Sequence, residues 1–143
     1  MNATKSVFLI EDDEYDQEIF TYILKSIAGV IIHDIADNGK EAIEKLGKAA
    51  SLPDLIFTDI HMPKMDGIEC LLALGKAPKL RQIPVIVLSS DISKINLMQT
   101  LGARAFIKKI GDIEKLTNLI RELVHLDYNK DIEIAVQTFK IMH

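Results

Sequence analysis

The chain has 143 residues and a formal net charge of −4, and 48% of its residues are hydrophobic. This length suits one domain with a hydrophobic core, and the composition argues against a disordered chain. The single cysteine, Cys70, excludes an intrachain disulfide, and the lack of a Lys/Arg block argues against direct binding of nucleic acid.

The sequence shows no signal for export or membrane insertion. No apolar run approaches the roughly 18 residues that a membrane span requires. The first residues have only a short apolar core that is closed by acids, which is not typical of a signal peptide. We therefore expect a cytoplasmic protein that makes no contact with a membrane.

Short apolar runs alternate with helical patterns along the chain. Strands are predicted at residues 6–10, 30–36, 54–58, 84–89 and 104–108. Helices are predicted at residues 14–27, 40–50, 67–76, 92–101 and 112–126, the last with Asp112 as its N-cap. Five strands that alternate with five helices predict an α/β fold, in which helices cover both faces of a parallel sheet.

Residues 127–143 form a tail beyond the fifth predicted helix. Its apolar residues suit a helix through Ile132, Val136 and Phe139, or a strand through Ile132, Ile134 and Val136. We predict one domain in residues 1–126 and leave the tail open as helix, strand or disordered segment. Its apolar content favours packing on its own domain or on a second subunit, so homodimer formation is also left open.

Chemically complementary side chains lie at the carboxyl ends of four predicted strands. Glu11 and Asp12 follow the first strand and Asp59 follows the third. The fourth strand ends at Ser89, and Lys109 follows the fifth. Ligands of an open parallel sheet bind outside these strand ends. Close carboxylates recruit a cation, and an all-oxygen site suits Mg²⁺. An aspartate oxygen beside Mg²⁺, a lysine and a hydroxyl is equipped to attack a phosphoryl group.

Each of these residues also has a structural alternative. The acids after the first strand could cap a helix, and Asp59 could be a turn residue. Lys109 could be a solvated surface lysine, and Phe106 could be a simple core residue. Taken together these alternatives are weak, because they require that four strands end in chemically complementary residues by accident.

Five motifs together resemble the receiver domains of two-component response regulators. They are "FLIEDD", "DLIFTDIHMPKMDG", "IPVIVLSS", "GARAF" and "FIKK", and the resemblance runs from residue 6 to residue 126. It implies a flavodoxin-like strand order 2-1-3-4-5. It also implies a regulator that receives a phosphoryl group from a sensor histidine kinase or a phosphotransfer protein. The 17 residues after residue 126 (143 − 126) are too few for an output domain, so we expect a stand-alone regulator. Such a protein is not a turnover enzyme, although it takes part in its own phosphoryl transfer and hydrolysis.

The resemblance implies a metal and acceptor site of four residues. Asp59 resembles the phosphoacceptor and a Mg²⁺ ligand. Asp12 resembles a direct Mg²⁺ ligand, and Glu11 its water-mediated partner. The backbone carbonyl of His61 would be the remaining protein ligand.

The resemblance also implies the residues that respond to phosphorylation. Ser89 matches the switch hydroxyl, Lys109 the lysine that pairs with the phosphoryl group, and Phe106 the aromatic residue that moves with the switch. The output is then a contact with a downstream protein target or onward phosphotransfer. The loop that shapes the pocket floor matches at Met62, Pro63, Asp66 and Gly67.

The chain departs from this family at Ile110, where a proline usually follows the lysine. A cis peptide without proline costs about 2.5–4 kcal/mol, and Gly111 offers a permissive backbone directly afterwards. We predict a trans Lys109–Ile110 peptide, with the Lys109 ammonium still reaching the acids.

Two other functions are considered. The first is a receiver-like protein-binding module that does not depend on phosphorylation. The second is a phosphatase of the aspartate-nucleophile class, which needs a second aspartate two residues after the nucleophile. His61 occupies that position here, which argues against the phosphatase.

Overall fold

The computed structural model of the chain describes residues 4–128 and 141–142. A short 3-10 helix spans Ile92–Lys94. The strands and helices are, in chain order, β1 (Lys5–Ile10), α1 (Glu14–Ser26), β2 (Val30–Ala36), α2 (Gly39–Lys48), β3 (Leu55–Thr58), α3 (Gly67–Lys76), β4 (Val85–Ser89), α4 (Ile95–Thr100), β5 (Ala105–Lys108), α5 (Ile113–Val124) and β6 (Ile141–Met142).

The strands form one parallel sheet in the order β2-β1-β3-β4-β5-β6. The predicted α/β fold and the order 2-1-3-4-5 are confirmed, and β6 extends the sheet beyond β5. The order reverses at β1, which pairs with β2 on one side and with β3 on the other. Sheets of this kind bind ligands beyond the carboxyl ends of the strands near that reversal.

Alternating side chains of the central strands enter two separate hydrophobic cores. Leu9 and Phe57 face the core that α1 and α5 cover, whereas Phe8 and Ile56 face the core that α2 and α3 cover. This alternation follows from the two-residue period of a strand, and it explains why β1 and β3 are apolar on both faces. Cys70 is buried in the second core, as expected for a small apolar side chain.

Four helices begin at a side chain that accepts a hydrogen bond from the backbone of the first turn. These N-caps are Asp13, Asn38, Asp66 and Asp112. Such caps satisfy N–H groups that have no partner within the helix. The N-cap predicted at Asp112 is confirmed.

The fourth helix differs from the prediction of one helix over residues 92–101. Asp91 accepts from the Ser93 N–H and starts a 3-10 turn, and α4 begins only at Ile95. Lys94, the last residue of the 3-10 turn, has backbone angles of φ −97° and ψ 3°, which interrupt a regular helix. The periodicity of the apolar residues does not distinguish a 3-10 turn from the first turn of an α-helix.

None of the helices within residues 4–128 is both long enough and apolar enough to cross a membrane. The predicted apolar positions Ile132, Ile134, Val136 and Phe139 lie outside the described residues. The end of the tail is described as β6, whose Ile141 and Met142 pair with Phe106 and Ile107 of β5.

We expect removal of residues 129–143 to destabilise the domain, because the backbone edge of β5 loses its partner strand. Ending at Tyr128 keeps the buried ring whose hydroxyl donates to the Leu123 carbonyl oxygen at 2.9 Å. A loss of about 1 kcal/mol corresponds to a decrease of about 3–5 °C in melting temperature. Calorimetry and sedimentation of the two chain lengths test this, and identical curves for both would refute a packing role of the tail.

Candidate functional site

The carboxyl ends of β1, β3, β4 and β5 bring the predicted site residues together. The Asp59 N–H donates to the Ile10 carbonyl oxygen at 3.0 Å, which fixes the end of β3 beside the end of β1. The Lys109 N–H donates to the Ser89 carbonyl oxygen at 3.1 Å, which fixes the residue after β5 beside the end of β4. Residues that are far apart in the sequence thus line one edge of the sheet.

The Lys109 ammonium lies at the centre of this edge and contacts three carboxylates. Its Nζ lies 2.7 Å from Glu11 Oε1, 2.8 Å from Asp16 Oδ2 and 2.9 Å from Asp59 Oδ2. It also lies 5.8 Å from the centroid of the Phe20 ring. Burial by itself lowers the pKa of Lys109, but the hydrogen bonds to Asp16, Glu11 and Asp59 outweigh it and the pKa is raised. Lys109 is therefore a fixed positive charge in the pocket.

Both oxygens of the Asp59 carboxylate have a hydrogen-bond donor. The Ile60 N–H donates to Oδ1 at 2.7 Å, and Lys109 donates to Oδ2. The side chain is 12% exposed, so it lies at the floor of a pocket that is open to solvent. A carboxylate held in this way presents its remaining lone pairs in a defined direction.

Glu11, Asp12 and Asp59 each offer an oxygen within 4.8 Å of the other two. Glu11 is 1% exposed, and burial raises the pKa of its carboxyl to about 8; Lys109 opposes this rise and the neighbouring Asp59 adds to it. Asp12 is exposed. Three oxygen donors that include one solvated carboxylate fit a cation such as Mg²⁺, which keeps several of its waters.

The loop between β3 and α3 passes close to the backbone of Asp59. A Cβ atom at Gly67 would collide with the Asp59 carbonyl oxygen and would lie 2.8 Å from Ile60 Cα. The Gly67 N–H donates to the Ile60 carbonyl oxygen at 2.7 Å, and Asp66 with Glu69 forms a capping box at the start of α3. Glycine is required at position 67 because no side chain fits between these backbones.

The same loop contains a strained turn at Lys64. Its φ of 65° lies in the left-handed region, and the Met65 N–H donates to the Pro63 carbonyl oxygen at 2.7 Å across it. A turn of this kind is rare for a residue with a side chain, and such strain is concentrated at functional sites.

Ser89 and His61 are connected through Asp91. The Asp91 N–H donates to Ser89 Oγ at 3.1 Å, and His61 Nε2 lies 2.7 Å from Asp91 Oδ2. Hydrogen bonds from Ser93 and His61 lower the pKa of Asp91 to about 2, and the bond from Ser93 has the larger effect. The loops after β3 and β4 are thus joined by an ion pair at the mouth of the pocket whenever His61 is protonated.

The family of the protein follows from comparison with known sequences. The family model of the response regulator receiver domain matches residues 7–121. The chain belongs to this family.

Two curated relatives are each 31% identical to the receiver described here. The sensor histidine kinase CheAY of Helicobacter pylori matches over 123 residues, which are 85% of this chain and 15% of that protein. The probable C4-dicarboxylate response regulator DctR of Bacillus subtilis matches over 127 residues, which are 89% of this chain and 54% of that protein. The receiver thus spans about half or less of the length of these two relatives.

The fold is also found in a solved structure of a cyanobacterial receiver. The crystal structure of the phosphorylated cyanobacterial phytochrome response regulator RcpA superposes with a TM-score of 0.74 and is 30% identical. The match covers 85% of this chain and 91% of that one.

The receiver places the two predicted switch residues in the interior. Ser89 is 2% exposed at the end of β4, and Phe106 is fully buried in β5, opposite Val87 of β4. No peptide bond among the described residues is cis, so the predicted trans Lys109–Ile110 bond is confirmed. The prediction that Lys109 still reaches the acids is also confirmed.

Two residues of α1 were missed by sequence reasoning. Asp16 binds Lys109, and Gln17 Nε2 donates both to the Glu11 carbonyl oxygen and to Asp37 Oδ1. Asp16 lies in the first turn of the helix that directly follows the acids of the pocket, a position that could have indicated a side chain near them. Asp13, one of the acids after the first strand, is the N-cap of α1.

Proposed function

We propose that this receiver accepts a phosphoryl group on Asp59 with the help of Mg²⁺ and thereby changes its contacts with other proteins. The observation that carries the proposal is the position of Lys109, whose ammonium binds Asp59 and Glu11 beside a third acid, the exposed Asp12. Positive charge next to a carboxylate nucleophile is what phosphoryl transfer needs, since charge develops on the transferred oxygens.

The transfer step uses an Asp59 oxygen as the nucleophile. The oxygen forms a bond to phosphorus while the bond from phosphorus to the donor breaks, and the electron pair of that bond leaves with the donor. The donor is a phosphohistidine of a sensor histidine kinase or of a phosphotransfer protein. Lys109 keeps its proton throughout, because its pKa is raised, and neutralises part of the charge on the phosphoryl oxygens.

Glu11, Asp12 and Asp59 would hold the Mg²⁺ ion, with the backbone carbonyl of His61 as a further ligand. The donor set is entirely oxygen, which suits this cation. When bound, Mg²⁺ supplies positive charge that offsets both the carboxylates and the phosphoryl oxygens.

Ser89 and Phe106 are proposed to report the phosphorylated state. The Ser89 hydroxyl accepts from the Asp91 N–H in this structure and is the hydroxyl at the end of β4. Turning it toward a phosphoryl group breaks that contact and leaves space beside β4, into which Phe106 of the neighbouring strand can repack. The surface near β5 then changes, and a downstream protein target can distinguish the two states.

We propose that the protein acts in the cytoplasm through contacts with other proteins. The relatives' names support a histidine-kinase pathway, as they include a sensor histidine kinase and a response regulator. The net charge of −4 favours a protein partner over direct binding of nucleic acid. The sedimentation experiment on the tail also tests whether the protein forms a homodimer.

Incubation with acetyl phosphate and Mg²⁺, followed by mass spectrometry, tests the proposed function. We expect one phosphoryl group per chain, lost again by hydrolysis, and no turnover of a generic phosphoester. A protein that gains no mass would instead be a binding module that does not depend on phosphorylation. Multiple turnover of the phosphoester would indicate a phosphatase.

We expect Asp12→Ala to abolish both binding of Mg²⁺ and labelling, because the site loses its most solvated carboxylate. In the unmodified protein, the affinity for Mg²⁺ should rise as the pH increases toward 8. Glu11 carries a proton below its raised pKa, and a bound cation must displace that proton. Calorimetric titration with MgCl₂ at several pH values measures both effects, and an unchanged affinity in Asp12→Ala would contradict the assignment.

A further inference from the structure

Asp16 is a carboxylate of the pocket that none of the matching motifs contains. It lies in the first turn of α1, and its Oδ2 is 2.8 Å from Lys109 Nζ. Its side chain is 29% exposed, so it occupies the solvent side of an ammonium whose own side chain is 18% exposed. The backbone N–H of Asp16 donates to the Asp13 carboxylate at 2.9 Å, which fixes the start of the helix that carries it.

The three carboxylates use the full donor capacity of Lys109. An ammonium group has three N–H donors, and the three oxygens at 2.7, 2.8 and 2.9 Å belong to Glu11, Asp16 and Asp59. Phosphorylation converts the Asp59 carboxylate into an acyl phosphate, and the donor that points to Asp59 can then turn to a phosphoryl oxygen. The other two hydrogen bonds need not change in this step.

The backbone around Lys109 does little to fix the position of its ammonium. The Lys109 N–H is held by the Ser89 carbonyl oxygen, and Ile110 packs against the core that α1 and α5 cover, but a long flexible side chain separates Nζ from these contacts. Lys side chains are long and lose much rotamer freedom when they are fixed in one place. The position of Nζ is therefore determined mainly by its acceptors.

We propose that Asp16 is a positioning residue for phosphoryl transfer to Asp59. Together with Glu11 it holds the Lys109 ammonium over the pocket while Asp59 changes from a carboxylate to an acyl phosphate. The proposal rests on the proposed function and adds a residue to it. Contact with the ammonium offsets part of the repulsion between the negative charge of Asp16 and the incoming phosphoryl group.

The rate of labelling by acetyl phosphate at saturating Mg²⁺ tests this role. Asp16→Asn keeps the size of the side chain and an oxygen acceptor but removes the charge, which makes the hydrogen bond to Lys109 about half as strong. We expect labelling to slow roughly three- to tenfold. Asp16→Glu restores the carboxylate at a partly exposed site and should be within about twofold of the unmodified protein.

Glu18→Gln is the matched control, because it removes the same charge from an exposed position of the same helix. It should label at the rate of the unmodified protein. Asp16→Asn labelling as fast as the unmodified protein, or faster, would overturn the proposal, as would Asp16→Glu labelling as slowly as Asp16→Asn. Absence of labelling in the unmodified protein would instead refute the proposed function, so the two failures are distinguishable.

Discussion

Asp59→Asn is expected to abolish labelling by acetyl phosphate while the protein stays folded. Asparagine is nearly isosteric with aspartate, so Oδ1 can still accept from the Ile60 N–H. The amide lacks the charged oxygen that attacks phosphorus, and labelling at this position should fall below detection. The change also removes the negative charge of Asp59, which contributes to the raised pKa of Glu11, so that pKa should fall toward its ordinary value.

Mass spectrometry of intact protein and of its peptides measures this result. Asp54→Asn is the control, because it removes the same charge from the residue just before β3, at the opposite end of that strand. The asparagine keeps an oxygen that can accept from the Ser6 N–H, as Asp54 does at 2.8 Å. Labelling of Asp59→Asn to one group per chain would show that another carboxylate is the acceptor.

Gly67→Ala is expected to destabilise the receiver by about 3 kcal/mol and to slow labelling at least tenfold. The added methyl group would overlap the carbonyl oxygen of Asp59 and crowd Ile60 Cα, and both of these atoms are backbone. Backbone cannot rotate away as a side chain does, so β3 or α3 must shift. Any shift acts directly on Asp59, because the contact is with its own carbonyl group.

Gly75→Ala is a control within the same helix. A Cβ atom at Gly75 would meet no atom within 4 Å, and alanine is favoured over glycine inside a helix by roughly 0.5–1 kcal/mol. Urea denaturation should therefore show that Gly67→Ala lowers the free energy of unfolding and that Gly75→Ala raises it. Equal stability of Gly67→Ala and the unmodified protein would contradict the close approach of the two backbones.

The sequence by itself determined the elements and the edge at which the site lies. The apolar runs of the central strands and the N-cap at Asp112 are patterns of consecutive residues, and such patterns follow from local geometry. Alternation of strands and helices implies parallel pairing, and parallel pairing places all carboxyl ends at one edge. The sequence alone therefore predicts that Asp59 and Lys109 lie at the same edge of the sheet.

Only the tertiary structure decided which atoms touch at that edge. Asp16 and Lys109 are separated by 93 positions, and His61 and Asp91 by 30. Whether such pairs meet depends on how each loop closes and on the direction of each helix, which no pattern of neighbouring residues encodes. The pairing of β6 with β5 is likewise a long-range contact. A short apolar segment suits either a helix or a strand, and it becomes a strand only where the edge of a sheet offers hydrogen bonds to its backbone.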